Sequence, residues 1–228
     1  LGTGLRIVWP LESGTASALF YAQRMFQFPV GVIGVALGTV LFPLLSRHAE
    51  RGELEQVGKD QTLSLKLAAA VGLPASVGLM LLARPIALLL FQRGAFTPED
   101  AELTSQCILA YGSGVWAALG IIMIHRGFYA LGDRMTPIRV GLHAVAVNML
   151  LNLLLIWPLA GSGLAWASSL AAMAQVGLAL VIYQRQFGLL DMPDVARTLL
   201  RSLVPTIATA AACWLAMQWL PPGSSTLT

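Results

Sequence analysis

The chain has 228 residues, of which 57% are hydrophobic and 11% charged, and its mean hydropathy is +0.73. Soluble domains carry about 25% charged residues, so a water-soluble globule is excluded: this much apolar surface could not be buried in one core. The net charge of +3 is too small to point to a nucleic-acid partner, and Cys107 and Cys213 stand singly in different apolar runs, without metal-type spacing.

The apolar residues are grouped in runs of about 20 or more, the length that crosses a hydrocarbon layer of roughly 30 Å. Backbone groups in lipid must bond internally, so such runs are read as helices. The expected fold is all-α, a polytopic transmembrane bundle of about six spans in a single membrane region.

The first span is expected at about 16–45. It contains Pro29, Gly31, Gly34 and Gly38, which predicts a kinked or closely packed helix. A polar stretch from Ser46 to about Gln61 reads as a loop. The second span, about 62–91, has Pro74 and Pro85 within it. The next loop runs from Gln92 to Asp100, with Thr97 as N-cap, Pro98 at the first helical position and acids in the first turn. The third span is about 103–131. Gly132 to Pro137 reads as a turn before a proline-initiated helix, and the fourth span is about 138–157. A short turn from Pro158 to Gly163 leads to the fifth, about 164–183. A loop from Gln184 to about Ala196 precedes the sixth, about 199–220. The chain opens on Leu1 without a signal-peptide pattern and ends in a Ser/Thr tail, so it reads as a piece of a longer protein entered at a loop.

Basic residues give the spans a direction. The loops after spans one, three and five, with their flanks, hold ten: Arg47, Arg51, Lys59, Lys66, Arg126, Arg134, Arg139, Arg185, Arg197 and Arg201. The opposite loops and flanks hold two, Arg84 and Arg93. The positive-inside rule puts the first set in the cytoplasm and residue 1 outside.

None of the 11 acids sits in the middle of an expected span. Chemistry on a lipid diphosphate ordinarily needs paired carboxylates to hold Mg²⁺. No such pair, no HExxH and no phosphate-binding glycine loop is present. No catalytic residue, metal ligand or cofactor is therefore assigned.

A cation is different. Arg24 lies about eight residues into the first span, and such a residue costs about 2.5–3.5 kcal/mol on insertion scales. It calls for a wet cavity, a partner, or a route to the interface. Arg24 and Gln27 share a face at i,i+3, and Gln23 lies one turn from Gln27. A guanidinium beside an amide suits an anion, above all a phosphate. On spacing alone, snorkelling to the outer interface, or pairing with an acid elsewhere in the protein, stands beside that reading. Arg126 reads first as a positive-inside anchor and second as a ligand residue. Asn148 and Asn152, one turn apart in span four, read first as interhelical hydrogen bonders, as does Gln175. His143 reads as structural.

The stretch from Ser17 to Ser46, with Tyr21-Ala22-Gln23-Arg24-Met25-Phe26-Gln27-Phe28-Pro29 at its heart, resembles the eighth-helix region of the MviN (MurJ) family of lipid II flippases. That family belongs to the multidrug/oligosaccharidyl-lipid/polysaccharide exporter group. Leu90 to Thr97, Arg126 to Pro137, Asn152 to Leu159 and Gly163-Leu164-Ala165 fit it in order. The resemblance implies about fourteen spans in two lobes, of which this chain would be most of the second, with the first lobe lying N-terminal to it. It implies a transporter in the bacterial inner membrane, not an enzyme. The substrate would be lipid II, an undecaprenyl-diphosphate-linked disaccharide-pentapeptide, flipped by alternating access around a cationic cavity. Arg24 matches the family's functional arginine in this helix, which favours the cavity reading. Members often carry acids where this chain has Gln23 and Gln27, so ion coupling through this helix is not expected. The alternatives are another polysaccharide-lipid flippase or a drug/ion antiporter of the same group, a membrane enzyme acting on a lipid diphosphate, and a non-transporting subunit.

Overall fold

The computed structural model describes residues 14–91 and 96–219. Among these residues the chain is helical, without strands. The order is α1 (Thr15–Glu50), α2 (Leu54–Leu81), α3 (Ala83–Phe91), α4 (Pro98–Gly112), α5 (Val115–Ala130), α6 (Met135–Phe187), α7 (Met192–Arg201) and α8 (Leu203–Trp219). Gln92 to Ala95, in the predicted second loop, lie outside the described residues, as does residue 1.

The apolar runs reappear as crossings, but the helices outlast them. α1 continues to Glu50 and α2 starts at Leu54, so the polar stretch taken as a loop from Ser46 to Gln61 is mostly helix. Polar residues continue a helix where its end leaves the hydrocarbon and can bond to water or to one another. His48 Nδ1 lies 2.6 Å from Asp60 Oδ2, and Gln56 adds a bond of 3.4 Å to the other carboxylate oxygen. The loop expected from Gln184 to Ala196 shrinks in the same way, since α6 runs to Phe187 and α7 begins at Met192.

Span two is α2 and α3, interrupted at Leu82. Span six is α7 and α8, interrupted at Ser202. Span three is α4 followed by α5, broken at Ser113-Gly114. Breaking a helix in lipid exposes backbone groups, and here the α4 cap and two other helices satisfy them. Ser113 Oγ and Ser169 Oγ each donate to Ala110 O at 2.7 Å, and Trp116 N donates to Ser76 Oγ at 3.0 Å. Thr97 begins α4 as expected: its side chain accepts from Asp100 N at 3.2 Å, and Asp100 Oδ2 accepts from Thr97 N at 3.0 Å, with Pro98 following.

The 53 residues of α6 are two crossings, not one. Ala160 has φ 47° and ψ −129°, outside helical geometry. Asn148 Nδ2 reaches Ser168 Oγ at 3.4 Å. On a continuous helix those residues would stand about 30 Å apart, so the chain reverses at Ala160 into an antiparallel hairpin. This is the short turn predicted between Pro158 and Gly163.

The core is layered. In one half α1, α3, α4 and α6 meet over Ala18, Ala22, Ala83, Ala87, Ala110 and Ala165. Such small side chains let helix backbones approach where lipid offers no hydrophobic drive. In the other half Leu41, Leu65, Leu119, Met123, Phe128 and Tyr183 pack together. α4 and α5 are the most enclosed crossing.

The second half ends where the basic loops gather. Lys66 Nζ holds Asp194 Oδ2 at 2.7 Å, Thr62 Oγ1 accepts from Asp191 N at 3.2 Å, and Gln186 Nε2 donates to Asp133 Oδ2 at 2.9 Å. Loops after crossings one, three and five thus share one end. The start of α1, the start of α4 and the α6 turn meet at the other, where Thr15, Glu99 and Ala160 line one hollow.

Asp133 also accepts from Met135 N and Thr136 N at 3.0 and 2.9 Å. Partial burial pushes its carboxyl up, but the bonds from Thr136, Gln186 and Met135 outweigh this and hold it below the usual carboxylate range. A carboxylate whose folded pKa is depressed stabilises the fold above its unfolded pKa of about 3.9 and loses that contribution as pH falls through the folded value. Asp133→Ala should therefore lower thermal stability by up to about 1 kcal/mol at neutral pH, since the carboxylate is partly exposed and its interactions are screened by solvent. The difference should shrink below about pH 3.9, which melting curves at several pH values would check.

Candidate functional site

The site is built on α1. Ala18 and Ala22 are buried, and Tyr21 stacks on Phe91 with ring centroids 4.6 Å apart. Phe26 meets Tyr111 at 5.9 Å. These contacts fix the rotation of the helix about its axis. They turn Gln23, Arg24, Gln27 and Phe28 to the open side, where all four are exposed. The expected grouping of Arg24 with the two glutamines is present. Arg24 Cζ lies 4.9 Å from the centre of the Phe20 ring, within cation–π range. That contact covers one face of the guanidinium and leaves its N–H edge free to donate.

No carboxylate pairs with Arg24 among the described residues. Three other cations are neutralised: Lys59 by Glu55 at 2.7 Å, Lys66 by Asp194 at 2.7 Å, and Arg84 more loosely by Glu102 at 3.8 Å. A groove between α2 and α7 at the basic end is lined by Lys59, Lys66, Asp191 and Asp194. Its charges are already matched, so it is a weaker anion site than the open face of α1.

The remaining candidates lie elsewhere. Arg126 is half-buried on α5, with its guanidinium against Gly38 of α1, fourteen residues from Arg24. Asn152 Nδ2 donates to Asn148 Oδ1 at 3.0 Å, and Asn148 reaches Ser168 across the α6 hairpin. His143 Nδ1 bonds Arg139 O within its own helix at 2.7 Å. The contact between Arg126 and Gly38 was not foreseen. Its only trace in the sequence is the spacing of Gly34 and Gly38, which signals a close approach without saying of what. Among the described residues no cluster of three or more His, Cys, Asp or Glu could hold a metal ion.

Among the described residues, six apolar crossings, with broken central helices sealed by serines and a charged residue on one open helix face, define a multi-pass membrane protein. Residues 4–225 match the sequence model of the family described as "Lipid II flippase MurJ", and the chain belongs to that family. It is 36% identical over 168 residues to a probable lipid II flippase MurJ of Vibrio cholerae, covering 74% of this chain and 32% of that protein. It is 35% identical over 211 residues to a probable lipid II flippase MurJ of Rhizobium meliloti, covering 92% and 39%. A solved lipid II flippase MurJ in an inward closed conformation superposes with a TM-score of 0.73 over 91% of this chain and 47% of that one, at 24% identity. That likeness bears on the fold. The chain spans about a third to two-fifths of the length of these curated relatives.

Proposed function

We propose that this chain is most of the second lobe of a flippase that carries lipid II from the inner to the outer leaflet of the bacterial plasma membrane. The observation that carries the reading is Arg24, an unpaired guanidinium on the open face of α1 in a chain of this family. A diphosphate crossing apolar lipid without a counter-charge would meet a prohibitive desolvation cost. A planar fork of donors offsets much of that cost by bidentate, charge-assisted bonds to phosphate oxygens.

The mechanism has three steps. The diphosphate meets Arg24, with Gln27 and Gln23 as amide donors, in a cavity between this lobe and the N-terminal one, open to the cytoplasm. The lobes rock so that the cavity opens outward. The polyprenyl tail stays in lipid throughout. No bond is made or broken, so the protein acts as a transporter, without a cofactor. The basic ends of crossings one, three and five face the cytoplasm, and the start of α1 faces the periplasm. Gln23 and Gln27 are neutral amides, so this stretch of α1 offers no carboxylate for ion coupling.

The test is complementation. The intact gene is placed in cells depleted of their own flippase, and lipid II exposed on the outer leaflet is measured. Restored exposure is expected, and failure to restore it at normal membrane levels of the protein would remove the proposal.

A further inference from the structure

The side of α1 that carries Arg24 continues toward the basic end. At 100° per residue, fourteen residues bring Gly38 to within about 40° of Arg24 and about 21 Å along the axis. Gln27 and Gly31 lie between them on the same side, and the space in front of Gly31 is empty. From Gly34 onward α5 closes over this side. Ile122 Cδ1 comes within 3.1 Å of where a Gly34 Cβ would be, and one helical turn further the Arg126 guanidinium lies on Gly38. Any side chain at residue 38 would occupy the space of that guanidinium.

Arg126 is half-buried and makes no hydrogen bond or ion pair with any described residue. Arg84, by contrast, has Glu102, and Lys66 has Asp194. A half-buried guanidinium at the basic end of a crossing, without a partner among the described residues, is a place for water or an anion to meet. The glycine notch fixes the group while leaving donors of the fork unused. Arg24 and Arg126 are therefore two open cations on one side of one helix, separated by much more than one diphosphate can span.

We propose that Arg126 is a second anion-binding residue, which holds the diphosphate of the lipid-linked substrate at the basic end of α1 before Arg24 takes it in the other half. The two act in succession, with Gln27 and the uncovered backbone at Gly31 along the path between them. This rests on the flippase reading and adds an entry subsite to it.

The test uses the purified intact protein and an arginine-specific reagent. Phenylglyoxal labelling of Arg126 is read by mass spectrometry with undecaprenyl diphosphate or undecaprenol present. Protection by the diphosphate and not by the alcohol is expected. In binding titrations Arg126→Gln should lose at least about tenfold in affinity for undecaprenyl diphosphate, with undecaprenol unaffected. Arg126→Lys, which keeps the charge but not the planar fork, should fall between the unsubstituted protein and Arg126→Gln, and Gly38→Leu, which displaces the guanidinium, should match Arg126→Gln. If undecaprenyl diphosphate binds the unsubstituted protein but leaves Arg126 open to the reagent, the assignment is overturned and the flippase reading stands. If undecaprenyl diphosphate does not bind at all, both fall.

Discussion

Arg24→Ala should lower outer-leaflet lipid II by at least about tenfold in flippase-depleted cells, at membrane levels equal to the unsubstituted protein. The magnitude follows from the bonds lost. A hydrogen bond to a charged group contributes about 1.5–3 kcal/mol, and about 1.4 kcal/mol is tenfold. Two such bonds to a diphosphate would exceed that. The competing idea, that Arg24 merely snorkels to the interface, makes the opposite forecast. Removing a cation that costs about 2.5–3.5 kcal/mol to insert should leave export intact and membrane insertion equal or better. Its side chain folds back on Phe20 at 4.9 Å, so only a modest cation–π contribution of about 0.5–1 kcal/mol is lost from the fold. Arg24→Lys separates charge from geometry. A lysine keeps the charge but not the planar fork, so export should fall between the two. Export by Arg24→Ala at the unsubstituted level would show that this guanidinium does not carry the substrate.

The crossings were legible in the sequence because lipid enforces one pattern: long apolar runs, helical, with basic loops on one side. The α6 turn was legible for the same reason, since no helix of 53 residues fits one bilayer. Where the crossings break was not legible. Ser113-Gly114 interrupts the third crossing only because Ser76 and Ser169, from distant helices, bond the freed backbone. The extra turns of α1 and α2 were hidden because His48, Asp60 and Gln56 look like loop residues until their mutual bonds are seen. In the candidate site the grouping of Gln23, Arg24 and Gln27 is local and followed from helical periodicity. The seat of Arg126 on Gly38 joins residues far apart in the chain, so no spacing rule could have found it.

Gly163→Ala should destabilise the lobe more than any exchange of glycine for alanine on its open faces. A methyl at this position would strike the backbone oxygen of Leu155, and the carbon of the same carbonyl would be 2.8 Å away. A flexible side chain can swing aside, but a helix carbonyl cannot move without opening the hairpin at Ala160, which already has a positive φ. Overpacking a core typically costs about 1–3 kcal/mol, and a backbone clash belongs at the upper end. The hairpin positions Ser169, whose hydroxyl bonds Ala110 O at 2.7 Å across the α4–α5 break. Displacing it would also leave that buried carbonyl with one donor fewer. Gly177→Ala supplies the control. It faces open space, and alanine gains up to about 1 kcal/mol of helix propensity over glycine. Thermal unfolding in detergent should therefore separate the two variants, with Gly163→Ala several degrees below the unsubstituted protein and Gly177→Ala at or above it. Equal melting temperatures would mean that the two halves of α6 are not packed as tightly as the Gly163–Leu155 contact requires.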